Sequence, residues 1–252
     1  MFLEVKPKHI KTSSVSADYD EEVYTRGRLG GPINRNERRL YAKVLDRLGH
    51  PYRDRFNPDL RLLDIACGTG KFLAYASHYM SVAGIDISPT AIEKARQRIV
   101  TGALCVGAGE ALPFEDERFD YITCFGSLEH FLDMLQGLSE MRRCLKRNGR
   151  LFLLVPNLYG YNNTLKAWLH NETPRTGQIV ERLACADGWC SLIENAGFRV
   201  MDFYGISFRR RLLTLTPFGV ITPMLNLLSN LFSMLIPTSM HTVFCFFAEI
   251  ET

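Results

Sequence analysis

The sequence has almost no excess charge and no paired-cysteine motif. Its 30 lysine and arginine residues nearly balance 27 aspartate and glutamate residues, which leaves a net charge of +3. A strongly basic nucleic-acid-binding surface is therefore not expected. The seven cysteines include no Cys-x-x-Cys pair, and several lie in apolar runs. Buried, reduced thiols are expected rather than a metal site or a disulfide framework.

Long apolar runs are also scarce. The N-terminal residues Met-Phe-Leu-Glu-Val-Lys-Pro-Lys contain no apolar core of signal-peptide length. A leucine-rich helix predicted within 224–235 is too short and too close to prolines to span a bilayer, which needs about 20 apolar residues. These absences predict a cytoplasmic protein.

A short apolar run that ends in a glycine turn is the most informative feature that is present. Leu62, Leu63 and Ile65 predict a buried strand, and the next residues read Ala-Cys-Gly-Thr-Gly. Gly68 and Gly70 permit a sharp turn close to a ligand. An amphipathic helix follows, so the loop lies where α/β folds bind nucleotide-like ligands.

Two phosphate-binding patterns fail at this loop. The dinucleotide fingerprint requires a third glycine where the sequence has Leu73, and the Walker pattern is not supplied by Gly70-Lys71-Phe72. Asp64, at the end of the strand, would repel a phosphate and hold a cationic ligand. A glycine turn that merely connects a strand to a helix is the alternative.

A second predicted strand, 82–86, ends in Asp86 about 20 residues beyond the glycine turn. A carboxylate at this position can accept both hydrogen bonds of a ribose diol. Ser88 precedes Pro89 and is interpreted as a helix N-cap without a catalytic role.

The two motifs together resemble class I S-adenosylmethionine-dependent methyltransferases, whose first motif looks like Asp64-Ile-Ala-Cys-Gly-Thr-Gly70. The resemblance covers about residues 60–205 and the last strand. It implies an α/β fold with a Rossmann-like doubly wound sheet, mostly parallel with an antiparallel last strand and helices on both faces. It also implies S-adenosyl-L-methionine as cofactor, whose sulfonium and amino-acid end suit an acidic strand end.

The resemblance implies a cofactor site along the loops that follow the first four strands of the core. The residues that it assigns to this site are Asp64, Ala66, Cys67, Gly68, Gly70, Asp86, Ile87, Gly109, Glu110 and Phe125. Relatives usually have an aspartate where this sequence has Ala108. Adenine would then be held by backbone groups of Gly109 and Glu110 and by stacking on Ile87.

His130 follows the fourth strand and is the candidate general base for a hydroxyl acceptor, with His170 as second candidate. A role in orienting the loop is the alternative. Metal-dependent RNA-terminal methyltransferases have Glu-x-x-Glu-His here, but Gly126 stands in place of the first ligand, so no metal is expected.

The spacing of apolar residues predicts alternating strands and helices along the core. Strands are expected at 62–65, 82–86, 103–106, 119–124, 150–156, 198–204 and 243–248. Helices are expected at 36–48, 72–80, 89–99, 132–147 and 187–195, with a loop at 50–60.

Three units are predicted: an N-terminal helical lid segment (1–57), a cofactor-binding domain (58–205 and 241–252) and a helical insertion (206–240). Polar and aromatic residues of 157–180, among them Asn157, are expected to face the substrate. The insertion is expected to cover the acceptor site, because its helix has an uncharged polar face. A dimer contact, peripheral membrane contact or packing against the core are the alternatives.

The resemblance implies methyl transfer to a small or lipid-like acceptor, with a hydroxyl as the expected acceptor group. A catalytically silent methyltransferase-fold subunit that binds a partner, and a protein or RNA methyltransferase, are the alternatives. The sequence leaves the oligomeric state open.

Overall fold

The computed structural model describes residues 2–5, 31–49, 56–161, 163–164, 181–207 and 237–251. The strands are β1 Leu3–Val5, β2 Asn57–Ile65, β3 Met80–Asp86, β4 Ala103–Val106, β5 Phe119–Phe125, β6 Leu145–Pro156, β7 Glu181–Leu183, β8 Phe198–Ile206 and β9 Val243–Ile250. The helices are α1 Arg35–Arg47, α2 Lys71–Ala76, α3 Pro89–Arg96, α4 Met134–Cys144 and α5 Ala186–Asn195, with short 3₁₀ turns at Leu128–His130 and Thr238–Met240.

Seven of these strands form one sheet in the order β4-β3-β2-β5-β6-β9-β8. The pairs among β4, β3, β2, β5 and β6 are parallel, whereas β9 runs antiparallel to both β6 and β8. The predicted fold class is confirmed. The chain builds outward from β2 to β4 and then returns to β5 on the other side of β2, so the topological switch point lies between β2 and β5.

Helices cover both faces of the sheet because strand side chains alternate between two apolar clusters. Leu62 of β2 packs in the cluster that contains residues of α1, α2 and α3, whereas Leu63 packs in the cluster with residues of α4 and α5. In β6, Phe152 packs in the same cluster as Leu62, and Leu153 packs in the same cluster as Leu63. The central strands β2, β5 and β6 therefore have apolar residues on both faces, as a parallel sheet covered on both sides requires.

Several element boundaries differ from the predicted ones. Strand β2 starts at Asn57 within the expected loop, and the helix after the glycine turn ends at Ala76, so that Met80 opens β3. Helix α4 ends at Cys144 instead of continuing to 147. The chain leaves the helix and enters β6 at this point because Leu145 pairs with Phe119 in the sheet. Lys146 also forms an ion pair with Asp120 at 2.8 Å.

The two outer units are described only in part. The N-terminal unit contains α1, as expected, and also β1, which was not predicted and pairs antiparallel with β7. Residues 6–30 and 50–55 of that unit, and 208–236 of the insertion, lie outside the described residues. Within the described ranges, no helix is both long enough and apolar enough to cross a membrane.

Candidate functional site

The glycine turn after β2 is a strained loop joined to β3. The backbone takes positive φ angles at Ala66 (54°), Gly68 (54°) and Gly70 (71°). For Ala66, a non-glycine residue, the left-handed conformation costs roughly 1–2 kcal/mol. The Cys67 amide donates to the Ile85 carbonyl at 3.0 Å, which fixes the loop against the neighbouring strand. The loop conformation is therefore imposed by the fold and held by hydrogen bonds.

Gly70 is required by packing as well as by its backbone angles. A Cβ at this position would lie 2.9 Å from side-chain atoms of both Ala95 and Ile99, so α3 approaches the turn closely. This glycine was predicted to make room for a ligand. The space that it leaves is occupied by Ala95 of α3 and by Ile99.

The Asp86 carboxylate is buried at the end of β3 and organises the loop. Its Oδ2 accepts a hydrogen bond from the Gly68 amide at 2.7 Å, and its Oδ1 accepts one from the Ser88 amide at 2.9 Å. The Ser88 hydroxyl accepts from the Ala91 amide, which confirms its capping role. These two hydrogen bonds tie the carboxylate to the glycine turn and to the start of α3.

Asp64 is the second buried carboxylate, at the end of β2. Its Oδ1 accepts a hydrogen bond from the Thr123 hydroxyl of β5 at 2.6 Å. Burial raises the pKa of Asp64 to about 7; the Thr123 hydrogen bond acts in the opposite direction, and Asp86 raises it further. A cationic group placed here would stabilise the ionised carboxylate.

The loop after β4 is joined to the loop after β5. Glu110 Oε1 accepts from the Leu132 amide at 2.8 Å, and its carbonyl accepts from Gln136 Nε2 at 3.4 Å. Gly109 is buried, and a Cβ there would lie 2.3 Å from the Phe131 ring. The two residues predicted to hold adenine thus also make contacts that hold two loops together.

The other predicted cofactor residues lie near this edge with different surroundings. Ile87 is half-buried directly after Asp86. The Phe125 ring packs against Phe72 and Phe152, with centroids 4.7 and 4.8 Å away, so its side chain belongs to the aromatic core beside α2.

His130 ends the 3₁₀ turn after β5, and its side chain is only 10% exposed. Its Nε2 lies 3.7 Å from Oε1 of Glu129, whose side chain is buried. The Arg182 guanidinium of β7 donates to the carbonyls of Phe131 and Leu132, which fastens the end of this turn. A histidine with an adjacent buried carboxylate can accept a proton and be stabilised in its charged form.

The structure brings together the loops after β2 and β3. It also places Thr123 beside Asp64 and Glu129 beside His130, two residues to which the sequence interpretation gave no role in the site. Thr123 is a polar residue in an otherwise apolar strand end, which is the signal that could have found it. His170 lies outside the described residues. In the described ranges, no group of three or more histidine, cysteine, aspartate or glutamate side chains could hold a metal ion.

Asn157 was predicted to face the substrate, and this prediction is wrong. The residue is fully buried, and its Nδ2 donates to the carbonyls of Ser239 and His241, each at 2.7 Å. Its Oδ1 accepts from the Tyr159 amide. The side chain joins the end of β6 to the segment before β9, because a buried amide must satisfy its own hydrogen bonds.

Comparison with known proteins supports the resemblance. The family model described as a methyltransferase domain matches residues 63–153, which include Asp64, Asp86 and His130. This part of the chain is therefore similar to a methyltransferase domain. The demethylmenaquinone methyltransferase of Thermotoga maritima is 37% identical over 124 residues, 45% of this chain and 54% of that protein. The ubiquinone/menaquinone biosynthesis C-methyltransferase UbiE of Geotalea daltonii is 32% identical over 132 residues, 48% of this chain and 52% of that protein. The chain thus spans about half the length of these two relatives.

Solved structures share the fold of the methyltransferase domain across most of the chain. A SAM-dependent methyltransferase from Aquifex aeolicus is 14% identical, with a TM-score of 0.53, covering 83% of this chain and 89% of that chain. The [4+2]-cyclase SpnF is 19% identical, with a TM-score of 0.61, covering 88% of this chain and 84% of that chain. At these identities the likeness concerns the fold alone, and the two named activities differ.

S-adenosyl-L-methionine is the cofactor that the sequence resemblance implies, and a solved structure that shares this fold is named as dependent on it. The described residues fit it in two respects. Asp86 places a carboxylate beside the Gly68 turn, and a carboxylate is an acceptor of the kind that a ribose diol requires. Asp64 is a buried carboxylate that a cation would stabilise, and the cofactor contains an ammonium and no phosphate.

Proposed function

We propose that the protein transfers a methyl group from S-adenosylmethionine to a hydroxylated, lipid-like acceptor of the quinol type. The observation that carries the proposal is the pair of buried carboxylates, Asp64 and Asp86, at the ends of adjacent strands on either side of the Gly68 turn. In this proposal Asp86 binds the ribose diol, and Asp64 holds the ammonium of the amino-acid end. Backbone groups of Gly109 and Glu110 hold the adenine.

The acceptor class follows from the names of the relatives together with the chemistry of a hydroxyl. The relative from Thermotoga maritima is named a demethylmenaquinone methyltransferase, and the one from Geotalea daltonii is named a C-methyltransferase of ubiquinone/menaquinone biosynthesis. Removal of a proton from a ring hydroxyl makes both the oxygen and the neighbouring ring carbon nucleophilic. One base can therefore activate either acceptor atom. Methylation of the hydroxyl oxygen and methylation of the neighbouring ring carbon both begin with the same deprotonation.

His130 is the residue that we assign to this proton. When bound, the cofactor would supply a methyl group on a sulfonium, whose carbon–sulfur bond breaks as the nucleophile bonds to the methyl carbon in line, with the neutral thioether as leaving group. His130 follows β5 at the switch point of the sheet, so it can accept a proton from an acceptor hydroxyl that faces the cofactor. The neighbouring Glu129 carboxylate stabilises the resulting imidazolium. Orientation of the acceptor supplies much of the remaining rate enhancement.

The test uses trideuteromethyl-labelled cofactor and a short-chain demethylmenaquinol, with mass spectrometry to locate the label. Transfer to a ring carbon or to a ring oxygen supports the proposal and decides which atom is methylated. The His130→Ala variant should retain cofactor binding and lose transfer. Failure of the wild-type protein to label this acceptor or any other lipid-like component of a cell extract, while it binds the cofactor, would contradict the proposed acceptor class.

A further inference from the structure

Thr123 occupies a position in β5 where a hydroxyl is costly. Its side chain is completely buried within a strand whose neighbours, Ile122 and Cys124, belong to the apolar core. Valine has the same branched shape and would avoid the cost of burying a hydroxyl. The hydroxyl therefore calls for an explanation beyond packing.

The strand register directs this hydroxyl at one carboxylate. Thr123 and Asp64 are directly paired residues of the parallel strands β5 and β2, and Gly84 pairs with Asp64 on its other side. The Thr123 Oγ1 lies 2.6 Å from Asp64 Oδ1 and 3.5 Å from the Leu63 carbonyl. The shorter distance is typical of a hydroxyl that donates to a carboxylate, so its single proton is committed to Asp64.

Among the described residues, the side chains that interact electrostatically with Asp64 include no cation. They are the acid Asp86 of β3, the thiols Cys67 and Cys124 and the phenol Tyr41 of α1. The hydrogen bond from Thr123 is the interaction that favours the ionised form, and burial opposes it. The arrangement is that of a carboxylate prepared for a positive charge that the described residues do not supply.

We propose that Thr123 is a positioning residue that holds the Asp64 carboxylate toward the ammonium group of the cofactor, so that the two side chains form one recognition unit for the amino-acid end. The inference rests on the proposed function, because it takes the cofactor site to be at the ends of β2 and β3. It adds a residue from a third strand, β5, to that site. It also assigns the unit to one part of the ligand, separate from the ribose and the adenine.

The test compares two ligands on three proteins by isothermal titration of the full chain. S-adenosylhomocysteine carries the amino-acid end, whereas 5′-methylthioadenosine has the same ribose and adenine without it. Thr123→Val keeps the branched shape and removes the donor, and Thr123→Ser keeps the donor. Binding of 5′-methylthioadenosine to each variant also reports that the variant is folded.

Thr123→Val should weaken S-adenosylhomocysteine binding about tenfold to a hundredfold, the usual range for a hydrogen bond to a charged group. Its affinity for 5′-methylthioadenosine should stay within about twofold of wild type, and Thr123→Ser should stay close to wild type for both ligands. As the pH is lowered, the affinity of the valine variant for S-adenosylhomocysteine should begin to fall at a higher pH than that of the wild type. The reason is that the lost hydrogen bond favoured the ionised carboxylate, which binds the ammonium.

Equal effects of Thr123→Val on the two ligands, or no effect on either, would overturn this inference and leave the proposed function standing. If the wild-type protein binds neither ligand, both fail. Should Thr123→Val not fold, Thr123→Ala provides the same comparison without the donor. The selective loss for S-adenosylhomocysteine is again the expected result, and equal affinity changes again overturn the inference.

Discussion

Among single residues, Asp64 connects the proposed cofactor site to the stability of the cofactor-free protein. Burial raises its pKa to about 7, partly offset by the Thr123 hydrogen bond and reinforced by Asp86. The pKa of an aspartate in an unfolded chain is about 4. Between these values the folded state binds more protons than the unfolded state, so this group makes stability fall as pH rises from about 4 to about 7.

Replacing Asp64 with asparagine should remove this pH dependence. The free energy of unfolding of Asp64→Asn minus that of wild type should increase by about 2–3 kcal/mol from pH 5 to pH 8, because only the wild type loses stability over this range. Urea denaturation without cofactor measures both values. Asp59→Asn, an exposed position on the same strand, is the matched control and should show no such change. A relative stability of Asp64→Asn that is equal at both pH values would contradict the assignment.

His130 is the residue on which turnover is expected to depend most selectively. His130→Ala should lower turnover about 10²–10⁴-fold, the usual contribution of a general base, while cofactor affinity stays nearly intact. His78→Ala removes an exposed histidine beyond the end of α2 and should leave both quantities unchanged. A parallel loss of affinity and turnover in His130→Ala would instead indicate that the histidine orients the loop.

At the scale of elements, the turn that carries His130 is fixed by the Phe131 ring between two glycines. A Cβ at Gly109, in the loop after β4, would lie 2.3 Å from this ring, and one at Gly137 of α4 would lie 2.4 Å from it. Such approaches are possible only without side chains at both positions. Loop, turn and helix therefore form one packed unit around Phe131.

Gly137→Ala should destabilise the protein by about 1–3 kcal/mol, because overpacking outweighs the gain of up to about 1 kcal/mol in helix propensity. Ser139→Ala, at an exposed position of the same helix, is the control and should be neutral or slightly stabilising. The cost of Gly137→Ala should shrink in a Phe131→Leu background, as measured by a double-mutant cycle of unfolding free energies. An unchanged cost in that background would show that the ring is not the obstacle.

For the whole molecule, apolar periodicity sufficed to predict the seven-stranded sheet and its helices, because its central strands are buried on both faces and have an apolar signature. It failed where local and long-range preferences conflict. Lys146 and Arg147 favour a helix C-terminus, but pairing with β5 draws this stretch into β6. The pairing of β1 with β7 joins residues far apart in sequence and has no local signal.

The candidate site was predictable in part. The placement of Asp64 and Asp86 at neighbouring strand ends could be predicted because strand-end carboxylates around a glycine turn form a local pattern, and the structure places both there. Thr123 was not found, because its significance comes from the register between β2 and β5. Asn157 was predicted to face the substrate because it is polar and lies at a strand end. The sequence does not reveal that its side chain is hydrogen-bonded to nearby backbone carbonyls instead.

The central claim is that the Gly68 turn and Asp86 form the binding site of S-adenosylmethionine. Isothermal titration of the full chain with S-adenosylhomocysteine, on wild type, Asp86→Ala and the exposed control Asp59→Ala, tests it most directly. Wild type and Asp59→Ala should bind equally, and Asp86→Ala should lose about 1–3 kcal/mol of binding free energy, because charge-assisted hydrogen bonds to the ribose are removed. Undiminished binding by Asp86→Ala, or no binding by the wild-type protein, would contradict the claim.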